Sequence, residues 1–187
     1  MLLFINACVR KASRTKELAD CLLSGTKEPV EEVRPDTVAF PTVDESFLKK
    51  RDRLIRDRAF DDPLFGLARQ FASAHEIVIA APYWDLSFPA ALRQYFEQIN
   101  VLGITFIYTP DGRPAGLCRA SRLTYIMTAG GLYCPEEYGP GYVRALARDF
   151  YGIPRFRLIR AVGLDIDGAD VGGIMAKAKA DIESGSF

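Results

Sequence analysis

Short apolar runs alternate with amphipathic stretches along the 187-residue chain. Five of these runs are short and rich in apolar residues, a pattern typical of strands that are buried on both faces of a parallel sheet. The predicted strands comprise residues 2–7, 31–34, 77–81, 122–128 and 156–163. The second run, 31–34, is the weakest because charged residues interrupt it.

The stretches between the strands show the three- and four-residue spacing of amphipathic helices. The clearest covers 89–99, where apolar side chains recur from Phe88 to Ile99, Ser87 is a candidate cap and Pro89 suits a first turn. The segment 35–74 is longer than one crossover requires, so we expect it to carry two helices. The other predicted helices are residues 14–23, 46–58, 63–74, 138–151 and 171–182.

The alternation of strands and helices predicts an α/β fold in one domain over residues 1–187. Its expected core is a doubly wound five-stranded parallel sheet of order 2-1-3-4-5, with helices on both faces. Residues 103–112 predict a strand that runs into a Pro-Asp-Gly turn, and we expect an inserted surface hairpin around 103–117. Ligands of such sheets bind at the carboxyl ends of the strands, which directs attention to the loops after Ala7, Ala81 and Thr128.

Charge and cysteine content narrow the function. The chain has 24 basic and 24 acidic residues, and this zero net charge argues against a nucleic-acid-binding protein. No apolar stretch is long enough to cross a membrane, so we expect no membrane association. The four cysteines form no CxxC pair and no zinc spacing, which favours free thiols in the cytoplasm and no metal site.

The first loop, residues 8–16, carries four basic residues and no acid. Hydroxyls of Ser13 and Thr15 lie where a helix is expected to begin, and helix starts favour anions. These features predict a phosphate site, although a simple cap at Ser13 with solvated basic residues explains them equally well. The loop contains no glycine, which argues against a dinucleotide-binding fingerprint and against a P-loop.

The other two loops suit a planar ligand. Tyr83, Trp84 and Asp85 follow the third strand, where aromatic faces could border a ring or simply pack over the end of the sheet. Gly130 and Gly131 follow the fourth strand, where they would let the backbone approach a ligand or form an ordinary turn. The convergence of all three loops favours a ligand site more than any one of them does.

With these residues in place, the chain resembles the flavodoxin-like NAD(P)H oxidoreductases, specifically the FMN-dependent NADH:quinone oxidoreductases and azoreductases. The resemblance covers nearly the whole chain. It is most specific at residues 80–85 (Ala-Ala-Pro-Tyr-Trp-Asp), 89–97 and 103–109, and Gly130-Gly131 and residues 150–153 add to it.

The resemblance implies non-covalently bound FMN, NADH or NADPH as co-substrate, and hydride transfer to quinones or azo compounds by a ping-pong mechanism. It also implies a homodimer with flavin sites at the interface. In that family the first loop binds the phosphate, the second borders the isoalloxazine ring, and the third contacts its pyrimidine edge. The implied cofactor-binding residues are Arg10, Ser13, Arg14, Thr15, Pro82, Tyr83, Trp84, Asp85, Leu86, Thr128, Ala129, Gly130 and Gly131. Many relatives carry Asn where this chain has Asp85, whose carboxylate could weaken a flavin contact or turn outward.

Three other functions stay open at this point. They are a flavin reductase that uses FMN as a released substrate, a flavodoxin-like electron carrier without its own NAD(P)H site, and a structural or regulatory domain that has lost flavin. The neutral charge argues against a flavodoxin, which tends to be acidic. We name no side chain as an essential acid or base. Tyr133 is better placed than His75, which precedes the third strand at the opposite end of the sheet.

Overall fold

The computed structural model describes residues 1–185, which contain a five-stranded parallel sheet and a separate two-stranded antiparallel sheet. The large sheet has the order β2-β1-β3-β6-β7, which confirms the predicted order 2-1-3-4-5. In chain order the strands are β1 (Leu2–Asn6), β2 (Val30–Val33), β3 (Glu76–Ala80), β4 (Phe106–Tyr108), β5 (Pro114–Gly116), β6 (Arg122–Thr128) and β7 (Arg155–Ala161).

The central strands are buried because they carry apolar side chains on both of their faces. Leu3 and Ile5 of β1 point into one hydrophobic cluster, and Leu2 and Phe4 point into a second cluster on the opposite face. Strand β2 lies at one edge, which explains why its sequence, Val-Glu-Glu-Val, tolerates charge.

Helices cover both faces, as predicted. The cluster of Leu2 and Phe4 receives buried residues from α1 (Arg14–Ser24) and α6 (Val171–Ser184). The cluster of Leu3 and Ile5 receives them from α3 (Gly66–Ser73), α4 (Ala90–Ile99) and α5 (Pro140–Ala145). α2 (Glu45–Arg56) has no fully buried residue and packs only Leu54 and Ile55 against the cluster of Leu3 and Ile5.

Three local predictions were wrong in detail. Ser87 does not cap α4, because its hydroxyl donates to the Tyr138 carbonyl at 3.0 Å, and Pro89 occupies the cap position. The helix expected over 63–74 begins as a 3₁₀ turn, Pro63–Phe65, before α3. The helix expected over 138–151 is α5 followed by a π-helical turn, Leu146–Phe150.

Strands β4 and β5 form an antiparallel hairpin within the segment 103–117. Its turn is closed by Thr109 N–H, which donates to the Arg113 carbonyl at 2.8 Å, and Gly112 supplies a φ of 80°. At the far end of β5, Gly116 packs directly against the backbone of Tyr151 and Gly152. The hairpin is therefore anchored to the chain that follows α5.

Cys118 lies just after β5 and is half-buried, and burial raises the pKa of its thiol to about 12. Because the thiolate is the reactive form, roughly one molecule in ten thousand is reactive at pH 8, against about one in ten for an ordinary thiol of pKa 9. We expect alkylation of Cys118 by iodoacetamide at pH 8 to be at least about 100-fold slower than in the urea-unfolded chain. Its rate should still rise about tenfold per unit between pH 8 and pH 10, measured by mass spectrometry of the labelled peptide. A rate that levels off near pH 9 would contradict the raised pKa.

Candidate functional site

Hydrogen bonds join the three predicted loops at the carboxyl edge of the sheet. Tyr83 N–H donates to the Thr128 carbonyl at 2.9 Å, which connects the loops after β3 and β6. The hydroxyls of Thr15 and Thr128 lie 2.7 Å apart, and both residues are buried, so the start of α1 is tied to the end of β6. The convergence follows from the strand order, because β1 and β6 both flank β3.

A cavity of about 190 Å³ lies between these loops. Most of the predicted site residues line it, together with Val9 and Ala12 of the first loop and two residues from a loop that was not predicted. The predicted residues at the cavity are Arg10, Ser13, Arg14, Thr15, Pro82, Trp84, Thr128, Ala129 and Gly130.

The start of α1 lines one end of the cavity with groups that can bind an anion. Ser13 caps the helix, since its Oγ accepts from Lys16 N–H at 3.2 Å, and its hydroxyl also interacts with the Cys8 thiol. The cap does not remove Ser13 from the cavity, which it lines. Arg10 is exposed and makes no ion pair within residues 1–185, so its charge is free to meet an anion.

In the loop after β3, some residues pack against the core and others line the cavity. Tyr83 packs against the core, and its phenol donates a hydrogen bond to the Pro135 carbonyl at 2.8 Å. Burial raises the pKa of this phenol, so it stays protonated. Trp84 lines the cavity with 38% of its surface exposed. Asp85 and Leu86 form the tip of a tight turn, with φ of 49° and 66°, that is closed by reciprocal backbone bonds between Trp84 and Ser87.

Four predicted residues thus lie outside the cavity lining. Tyr83 is held by packing, and Asp85 and Leu86 are exposed at the turn tip. Gly131 accepts a hydrogen bond from Gly163 N–H at 3.0 Å through its carbonyl. An aspartate suits the positive φ at position 85, whereas Leu86 adopts it at a cost in backbone strain.

Comparison with known proteins identifies the family of this chain. A family model described as a flavodoxin-like fold matches residues 1–184. An FMN-dependent NADH:quinone oxidoreductase of Clostridium beijerinckii is 33% identical over 180 residues, which cover 92% of this chain and 90% of that protein. The chain belongs to the flavodoxin-like FMN-dependent NADH:quinone oxidoreductase family. A second family member, FMN-dependent NADH:quinone oxidoreductase 2 of Clostridium acetobutylicum, is 43% identical over 120 residues, but that match spans only 59% of its length.

Solved structures agree with the fold of the family. The azoreductase of Bacillus anthracis str. Sterne superposes with a TM-score of 0.85 at 21% identity, covering 98% of this chain and 96% of that one. An FMN-dependent NADH-azoreductase of Bacillus anthracis str. Ames Ancestor, solved in complex with FMN, has a TM-score of 0.82 at 22% identity and covers 98% and 96%. At sequence identities of 21% and 22%, these two structures show a similar fold only.

A fourth loop, after β7, completes the cavity of this family member. Leu164 and Asp165 line it, although sequence reasoning did not identify either. The Arg14 guanidinium reaches this loop: its Nη1 donates to Asp165 Oδ1 at 2.8 Å and to the Leu164 carbonyl at 3.2 Å. The sequence could have indicated this loop, because the carboxyl end of the fifth strand of a parallel sheet lies at the same edge as the carboxyl ends of the other strands.

The two candidate acid–base residues lie in different places. His75 precedes β3, and its Nδ1 lies 3.4 Å from the amino terminus, at the end of the sheet opposite the cavity. Tyr133 follows the third loop and has 79% of its surface exposed. Neither lines the cavity.

Within residues 1–185, no cluster of histidine, cysteine, aspartate and glutamate side chains could hold a metal ion. Over the same residues, no helix combines the length and apolar character needed to span a membrane.

Proposed function

We propose that this chain is an FMN-dependent oxidoreductase that moves hydride from NADH or NADPH to quinones or azo compounds by a ping-pong mechanism. The proposal extends to a homodimer and to the cytoplasm, where its four unpaired thiols would stay reduced. It rests first on the anion-binding cavity at the start of α1. The activities named for the Clostridium relatives support the same reaction.

The donor set fits a phosphate monoester. Two guanidinium groups, Arg10 and Arg14, and the hydroxyl of Ser13 line the cavity at the amino end of α1. Helix starts also present unpaired backbone N–H groups and a positive dipole end to an anion. Thr15 has a different role, because its hydroxyl is engaged with Thr128 and fixes the loop at the end of β6.

The opposite end of the cavity fits a planar heterocycle. Pro82 and Trp84 offer flat apolar surface, and Gly130 lets the backbone come close. The Gly130 N–H has no hydrogen-bond partner within residues 1–185, so it can donate to a ring carbonyl. These residues would orient FMN and tune its electronics, and the flavin would supply the hydride-transfer chemistry.

The size of the cavity supports the homodimer. Sites for cofactor-sized ligands usually measure about 300–1,000 Å³, whereas this one measures about 190 Å³. Apolar side chains near the loops are unusually exposed, including Leu132 at 71% and Tyr138 at 59%. A second copy of the chain would cover such residues and supply the missing wall.

The visible spectrum of the purified protein tests this function. We expect a yellow protein with flavin absorption bands that bleach anaerobically on addition of NADH or NADPH and return on addition of menadione. The retained flavin should be released as FMN, not riboflavin, after heat denaturation. A protein that stays colourless after incubation with FMN would overturn the proposal. A protein that binds FMN only weakly and turns it over in solution would be a flavin reductase instead.

A further inference from the structure

The loop after β7 is attached to the loop after β6 by a regular set of backbone hydrogen bonds. Gly163 N–H donates to the Gly131 carbonyl at 3.0 Å, Leu164 N–H to the Ala129 carbonyl at 3.2 Å, and Asp165 N–H to the Gly130 carbonyl at 3.0 Å. These contacts fix the backbone of Asp165 beside the cavity. Its carboxylate lies against Gly130, where an added Cβ would overlap it.

From this fixed position Asp165 contacts the phosphate end of the cavity through Arg14. We propose that Asp165 is a positioning residue, which holds the Arg14 guanidinium in the orientation that binds the FMN phosphate. The proposal rests on the proposed function, since it assigns a role toward the same cofactor. Arg14 is also the first residue of α1, so its side chain starts where a phosphate is expected.

The geometry leaves Arg14 free to bind a ligand. A guanidinium carries five N–H donors, and both recorded contacts, to Asp165 Oδ1 and the Leu164 carbonyl, use Nη1 alone. Within residues 1–185, the donors on Nε and Nη2 have no partner. A free arginine would lose side-chain entropy on ordering, whereas an arginine already held by Asp165 has lost part of that freedom before the ligand arrives.

Charge repulsion alone predicts that removal of the Asp165 carboxylate strengthens FMN binding, whereas the positioning role predicts that it weakens binding. The direction of the change in affinity therefore tests the proposal. A carboxylate beside an anion site repels phosphate, so its removal would strengthen FMN binding if repulsion dominated. The Asp165 side chain is 71% exposed, however, and water screens its charge. Positioning therefore outweighs repulsion, and removal of the carboxylate should weaken binding.

The test compares dissociation constants for FMN and riboflavin, measured by flavin fluorescence with the full-length apoprotein. We expect Asp165→Asn and Asp165→Ala to weaken FMN binding by about fivefold, the upper range for an exposed ion pair. Riboflavin, which lacks the phosphate, should bind all variants within about twofold of the wild type. With Arg14→Gln as background, adding Asp165→Asn should weaken FMN binding no further.

Asp20→Asn is the matched control. It makes the same charge change on α1 and removes the ion pair of Asp20 with Lys16, at 2.6 Å, but Asp20 does not line the cavity. We expect its FMN affinity to equal that of the wild type. The thermal midpoints of the Asp165 variants should stay within about 2 °C of wild type, because the pair with Arg14 is exposed.

The outcomes separate this inference from the function on which it rests. If the wild type binds neither flavin, the proposed function fails. If the wild type binds FMN and Asp165→Asn binds it equally or more tightly, the positioning role is overturned and the function stands. An equal loss for FMN and riboflavin would also overturn it, because the effect would then not act through the phosphate.

Discussion

Replacement of Gly116 with alanine is expected to lower the free energy of unfolding by about 2–3 kcal/mol, the upper range for overpacking a tight contact. A Cβ at this position would overlap backbone atoms of Tyr151 and Gly152. Backbone cannot move aside as a side chain can, and Tyr151 is fully buried with its phenol bonded to Asn100 Oδ1 at 2.8 Å. Thermal unfolding should show a midpoint roughly 4–10 °C lower.

Gly66→Ala is the matched control for this variant. Gly66 is the first residue of α3, and no heavy atom lies within 4 Å of the position its Cβ would take. The same substitution there should be neutral or stabilise the protein by up to about 1 kcal/mol, because alanine favours helix and restricts the unfolded chain. Equal stability of the Gly116 and Gly66 variants would show that the contact of β5 with residues 151 and 152 is looser than described.

Charge reversal at Arg10 is expected to weaken FMN binding by at least about 100-fold, since it replaces attraction with repulsion at the phosphate end of the cavity. Arg10 lines the cavity, is exposed and forms no ion pair within residues 1–185, so Arg10→Glu should leave the fold intact. Fluorescence titration with FMN measures the loss. Far-ultraviolet circular dichroism should match that of the wild type.

Lys11→Glu provides the comparison, because it makes the same charge change one residue further along the same loop. Lys11 is exposed but does not line the cavity. Its FMN affinity should fall less than about fivefold, the residual effect of a screened charge at longer range. Similar losses for both variants would mean that the loop attracts FMN only through its total charge, and that Arg10 makes no direct contact with the phosphate.

The fold was largely predictable because its strongest determinant is the apolar character of the strands. β1, β3 and β6 are buried nearly throughout, and their sequences show it without any tertiary information. The ends of helices were harder to predict. Ser87 was misassigned as a cap because its partner, the Tyr138 carbonyl, lies 51 residues away and no local pattern reveals it. The π-helical turn after α5 was likewise not predictable, because no spacing of apolar residues in the sequence distinguishes it from an α-helix.

The candidate site was predictable to the extent that it depends on strand order. Loops after Ala7, Ala81 and Thr128 converge because their strands are neighbours, whatever their side chains. Which side chain of each loop enters the cavity depends on local geometry: Tyr83 packs inward, and the positive φ values at Asp85 and Leu86 turn that tip away. The contribution of Asp165 was missed, although the rule that located the other loops applies to β7 as well.

The ion pair between Arg14 and Asp165 joins residues 151 positions apart, and it closes the cavity with the loop that follows β7. During synthesis the loop of residues 8–16 emerges well before Asp165 is added to the chain. A growing polypeptide therefore offers no complete pocket until β7 has joined the sheet. Because a ligand stabilises only the state that binds it, FMN would assist the finished protein against unfolding but give no help to its earlier folding intermediates.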